Sequence, residues 1–147
     1  MHPRLVFVCA LILAAVLACA TGVRADSRYA AVYTTTRPGA DSTQELTLVL
    51  GRNGLATLTT RYPDLERAYG PRVLPIREVG KWRDRGAMAD VHFTSVGLLR
   101  DGKLAQPRRA DKRIVFALEG CRLTATRYSK ITYGEAGLTM DKAGCKG

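Results

Sequence analysis

Histidine is almost missing from this chain: of 147 residues, only His2 and His92 carry an imidazole. A transition-metal site built on imidazole needs three or four converging ligands, so that chemistry has no donors here. Serine occurs only at Ser27, Ser42, Ser95 and Ser129, none in a Gly-x-Ser-x-Gly or Ser-x-x-Lys context. With His92 the only imidazole base past the leader, no serine-hydrolase arrangement can be assembled. Cys-x-x-Cys is absent, which removes the usual thiol redox and zinc patterns. Acids are sparse, 13 against 23 basic residues. Asp64 and Glu66 share a loop, and Glu78, Asp90 and Glu135 fall on distant strands, so no acid and base pair is expected. The expectation is a non-enzyme with no catalytic residues, no metal and no cofactor.

Long apolar runs are also rare, and the single one present sets the compartment. Leu5 to Ala20 is apolar without a break, follows the cationic Arg4, and leads to Val23-Arg24-Ala25, a small-residue cleavage pattern. That is the anatomy of a secretion signal. Its sixteen residues fall short of a membrane span, which needs about eighteen or more. Cleavage between Ala25 and Asp26 divides the chain into a leader, 1–25, and one domain, 26–147. A competing cut is offered by Val16-Leu17-Ala18-Cys19, which resembles a lipoprotein box except that leucine sits one place late. Lipidation of Cys19 would tether the protein without a spanning helix. Either route makes it periplasmic or secreted, with the outer membrane as anchor on the Cys19 route.

Past the leader only Cys121 and Cys145 remain. In an oxidising compartment they are expected to form one disulfide, closing a loop of about 25 residues and stabilising the fold by roughly 3 kcal/mol. Without Arg4 and Arg24 the basic count falls from 23 to 21 against the same 13 acids, leaving a net charge of +8. Such a charge attracts anionic partners. Export removes nucleic acid from the candidates and leaves lipid headgroups, lipopolysaccharide phosphates, acidic wall polymers or an acidic envelope protein.

Along residues 26–147 the periodicity is that of strands. Val, Thr, Tyr and Leu alternate in short runs separated by Gly, Pro, Asn and Asp. Nine runs, Tyr29–Thr35, Glu45–Leu50, Leu55–Tyr62, Ile76–Arg83, Met88–Val96, Leu98–Leu104, Arg113–Leu118, Arg122–Tyr128 and Leu138–Asp141, are read as a series of about eight strands. In the second, Leu46, Leu48 and Leu50 share a face and Thr47 and Val49 the other. Arg52-Asn53-Gly54 reads as a tight turn in which Asn and Gly both accept positive φ. Asp64 reads as a helix start and Gly70-Pro71 as its stop, allowing at most a short helical turn. Gly80 suits a bulge. The fold expected is all-β: a small antiparallel meander closed into a lipocalin-like barrel, which leaves no exposed sheet edge.

His92 lies between Val91 and Phe93 and is expected on the opposite face from them. Trp82, Tyr62, Tyr69, Tyr128 and Tyr133 are candidates either to fill the barrel or to line a cavity in it. The densest basic stretch supplies the candidate anion-binding set, Lys103, Arg108, Arg109, Lys112 and Arg113, read as one polar loop with Asp111 as its only acid. Arg61, Arg67, Arg72, Arg77, Arg83 and Arg85 read as background charge.

Four stretches, in order, resemble the N-terminal β-barrel domain of the NlpE lipoprotein family: Glu45 to Leu50, Gly54 to Tyr62, Glu78-Val79-Gly80-Lys81-Trp82, and Tyr133-Gly134-Glu135-Ala136-Gly137-Leu138-Thr139. The resemblance implies an envelope barrel linked to copper homeostasis and stress signalling. The family's Pro-Cys-Ala-Asp-Cys loop is here Pro38-Gly39-Ala40-Asp41-Ser42. Both thiols are gone, so metal handling does not carry over. What carries over is a binding or envelope-stress accessory module, or a cationic inhibitor or carrier acting on an acidic envelope partner.

Overall fold

The computed structural model describes residues 27–126 and 135–146. Eight antiparallel strands follow one another around a closed barrel, each bonded to its neighbours in sequence and the last to the first. They are β1 (Ala31–Pro38), β2 (Thr43–Leu50), β3 (Leu55–Arg61), β4 (Ile76–Asp84), β5 (Ala89–Arg100), β6 (Lys103–Glu119), β7 (Arg122–Ala125) and β8 (Thr139–Lys142). One helix, α1 (Pro63–Tyr69), and a 3-10 turn, Gly70–Arg72, join β3 to β4. The chain enters and leaves at one end of the barrel, called here the terminus end; α1 marks the other, the helix end.

Alternation along each strand decides what lies inside. Leu46, Leu48 and Leu50 on β2, Leu58 on β3, Trp82 on β4, Val91 and Phe93 on β5, and Ile114 and Phe116 on β6 are all buried. The interior is therefore packed side chain, as small barrels allow. Trp82 anchors the packing, its indole Nε1 donating to the Gly51 carbonyl at 2.8 Å. Tyr33 donates its hydroxyl to the Tyr29 carbonyl at 2.8 Å. Burial, helped by Tyr29 and opposed by Arg28, pushes the Tyr33 hydroxyl up to about 12. Of the other aromatic candidates, Tyr62 is half-buried, Tyr69 is exposed, and Tyr128 and Tyr133 lie outside the described residues.

Gly80 sits where the β4–β5 register shifts. A Cβ there would stand 1.9 Å from the His92 carbonyl oxygen, so only glycine lets the strands approach this closely. Cys121 and Cys145 are disulfide-bonded, with Cα atoms 5.7 Å apart. The bond ties the β6–β7 turn to the C-terminal segment.

Several sequence expectations need correction. Residues 98–104 are not a strand of their own; they are the tip of one long β5–β6 hairpin that turns at Asp101-Gly102. Arg108 and Arg109 belong to the 17-residue strand β6, not to a loop. Bulges where the β5–β6 register shifts, one beside Gln106 with φ at 49°, interrupt the alternation and hide the strand in the sequence. In the β2–β3 turn only Gly54 has positive φ, and Gly54 N–H bonds the Gly51 carbonyl at 3.0 Å. It is a three-residue loop ending in a left-handed glycine, not a two-residue Asn-Gly turn. Asp64 does not cap α1: Tyr62 holds the cap position, and the Asp64 carboxylate accepts from the Thr43 amide at 3.0 Å.

Candidate functional site

Two charged assemblies result from this register. The first lies inside the barrel at the helix end. Arg37, Gln44, Glu78 and Lys112 share strand faces with the buried Tyr33, Leu46, Trp82 and Ile114, so strand parity turns them inward. Lys112 Nζ donates to Glu78 Oε2 at 3.2 Å and to Glu135 Oε1 at 2.9 Å. Arg37 Nη1 donates to Glu135 Oε2 at 2.8 Å, and its Nε to Gln44 Oε1 at 2.9 Å. Burial pushes the Glu135 carboxyl up, but bonds from Arg37 and Lys112 outweigh it and hold the group below the ordinary carboxylate range. Glu78 and Glu135, read in the sequence as far apart, are brought onto one ammonium. Both are ion-paired to it.

The second assembly covers the outer face of β4, β5 and β6. Cross-strand pairing sets Leu55, Lys81, His92 and Arg113 in one row over four strands. Arg83 stands two residues along β4 from Lys81, opposite Asp90; Arg109 stands opposite Ser95 and Val79. Lys81, Arg83, Arg109 and Arg113 are exposed. His92 points outward as expected, its Nε2 2.7 Å from Asp111 Oδ1. Arg77 lies on the same side, where its Nε donates to Thr59 Oγ1 at 3.0 Å. Two acids temper this face. Asp111 is bound to His92, and Asp90 stands 3.9 Å from Arg85.

The β5–β6 register also divides the expected anion-binding set: Arg109 and Arg113 fall on the outer face, while Arg108, in the row of Glu78 and Val96, falls on the other. Lys103, Arg108, Arg109 and Arg113 are exposed, while Lys112 faces the lumen and is committed to two carboxylates. In exchange, Lys81 and Arg83, with Arg77 beside them, become part of a basic surface. In the sequence Arg77 and Arg83 look like background charge because they meet Arg109 and Arg113 only through β5. The period-two spacing of 77, 81 and 83, and of 109 and 113, was the available signal.

A shallow cleft beside α1 offers less. Arg61 Nη2 bonds Glu66 at 2.5 Å, Arg61 Nη1 lies 3.8 Å from Glu45, and Arg67 pairs with Asp64. Its charges satisfy one another. Among the described residues, no three His, Cys, Asp or Glu side chains gather as a metal site, and no helix is long and apolar enough to cross a membrane. Comparison with known proteins found no matching family model, no matching curated protein and no matching solved structure.

Proposed function

We propose that this chain is a non-enzymatic, exported β-barrel of the NlpE-like type, a binding or envelope-stress accessory module that engages an acidic envelope partner through its outer surface. The observation that carries the reading is the cross-strand row of Lys81, His92 and Arg113 with Arg83 and Arg109 beside it. The interior argues the same way. Trp82, Phe93, Phe116 and leucines fill it, and an ion-paired network occupies the helix end, so recognition falls to the outside. Export rests on the leader, residues 1–25. Cleavage before Asp26 leaves a free body, and lipidation at Cys19 a tethered one.

The test replaces Lys81, Arg83, Arg109 and Arg113 with Ser and measures retention on immobilised lipopolysaccharide and polyphosphate across a salt gradient. Lys112 is left in place because its loss would damage the barrel. Elution at markedly lower salt is expected, since each cation withdrawn from an anionic surface weakens binding by about 1 kcal/mol. An unchanged, salt-insensitive profile rejects the reading.

A further inference from the structure

We infer that the terminus end of the barrel, around the β4–β5 turn, docks on an anionic phospholipid membrane. This rests on the acidic-partner reading above and narrows it to one partner.

Charge is the first observation. Lys81, Arg83 and Arg85 descend β4 into the turn at alternate positions, and Arg113 completes the row across β5. Adjacent strands lie about 4.8 Å apart and alternate residues about 7 Å apart, so four cations share a patch roughly 10 to 15 Å across. Asp90, 3.9 Å from Arg85, and Asp84, whose carboxylate accepts from Ser27 and the Gly86 amide, are acids within it, and Asp111 borders it beside His92. The outer face of a closed barrel curves outward. Exposed cations spread over a convex face suit an array of headgroups better than a single enclosed anion.

Apolar exposure is the second. Leu55, 48 % exposed, flanks Lys81 in the row, and Met88, 42 % exposed, sits in the β4–β5 turn. The Arg85 amide donates to the Met88 carbonyl at 2.8 Å, which fixes that side chain's backbone beside the cations. Isolated exposed apolar residues are ordinary on a protein surface. Apolar side chains bracketed by cations are what an interfacial contact uses, the first entering the headgroup layer and the second pairing with phosphate.

Chain entry is the third. Ser27 Oγ bonds Asp84 at 2.5 Å, and Arg28 Nη2 and the Tyr29 hydroxyl bond the Gly86 carbonyl at 3.3 and 3.1 Å. The first described residues are thus stitched to this same turn. Cys19 precedes Ser27 by eight residues, a reach of at most about 28 Å. A lipid on Cys19 would hold this end of the barrel, and not the helix end, against the bilayer.

The experiment uses the full chain in a Cys19→Ser background, expressed with its own leader and purified as processed, so that no acyl chain inserts into either vesicle. Co-sedimentation with phosphatidylglycerol vesicles is compared with phosphatidylcholine vesicles and with soluble polyphosphate. Wild type should prefer phosphatidylglycerol. Lys81→Ser, Arg83→Ser and Arg113→Ser together should weaken that binding by roughly a hundredfold, at about fivefold per cation. Leu55→Ser with Met88→Ser should weaken it by about tenfold while leaving polyphosphate binding unchanged. Thermal unfolding checks that each variant is folded. Equal binding to both vesicle types, or full vesicle binding by the Leu55 and Met88 variant, overturns the membrane inference even if polyphosphate binding persists. Failure to bind any of the three removes the acidic-partner reading as well.

Discussion

Lys112 and Glu135, 23 positions apart in the chain, meet at 2.9 Å inside the barrel. The ammonium also serves Glu78, and Arg37 closes the other side of Glu135. Two cations and two anions thus neutralise one another where the sheet would otherwise hold charge above an apolar floor. Removing one member leaves the rest half-buried and unbalanced. Lys112→Met should therefore destabilise the fold by about 2 kcal/mol, below the cost of breaking a fully buried pair because these groups keep some contact with water. A shifted denaturant midpoint at constant slope is the measurement; an unchanged midpoint would show the network to be idle.

Acid should act through the same residues. Glu135 is held below its ordinary value of 4.5 when folded. A depressed carboxylate contributes stability that is complete above the unfolded value and disappears as pH falls through the folded one. Wild type should lose stability progressively below about pH 4.5. Asp64, held down by the Thr43 amide and by Arg67, acts in the same direction. Glu135→Gln should be less stable at neutral pH and show a flatter decline in acid, read from thermal midpoints across the range.

Gly80 gives a steric prediction. With the His92 carbonyl 1.9 Å from where a Cβ would go, Gly80→Ala must push β4 and β5 apart at the bulge. A loss of roughly 3 kcal/mol is expected, at the upper end of overpacking costs. Gly86→Ala makes a useful contrast: it meets no neighbouring atom and suffers only its φ of 80°.

Thiol labelling of the denatured, unreduced protein should find neither Cys121 nor Cys145 free. Reduction should then lower stability by roughly 3 kcal/mol.

The proposed leader makes a prediction of its own. Mass spectrometry of the mature N-terminus should find Asp26, and an acylated Cys19 would establish the tethered route instead.

Much of the barrel was legible because its core is period-two: Leu46, Leu48 and Leu50, or Val91 and Phe93, declare their face without help. The disulfide was legible from cysteine parity and the oxidising compartment the sequence leads one to expect. The β5–β6 hairpin was not, since bulges near Gln106 and opposite Thr94 break the alternation and put Pro107 inside a strand. Nor were the charged assemblies. Arg37, Glu78 and Lys112 each had an inward parity that could be read, but their convergence depends on barrel closure. The basic face needed the pairing of Lys81 with His92 and of His92 with Arg113, a register no single strand encodes.

The seam between β1 and β8 has a consequence for biogenesis. Tyr33 pairs with Lys142 and Thr34 with Asp141, so the earliest strand to be synthesised is completed by the last. A nascent chain holds an open sheet with an unsatisfied rim until residue 142 has emerged. Closure and oxidation are then neighbouring late events, because Cys145 lies three residues beyond the seam. Such an order postpones barrel closure until the C-terminal segment is present.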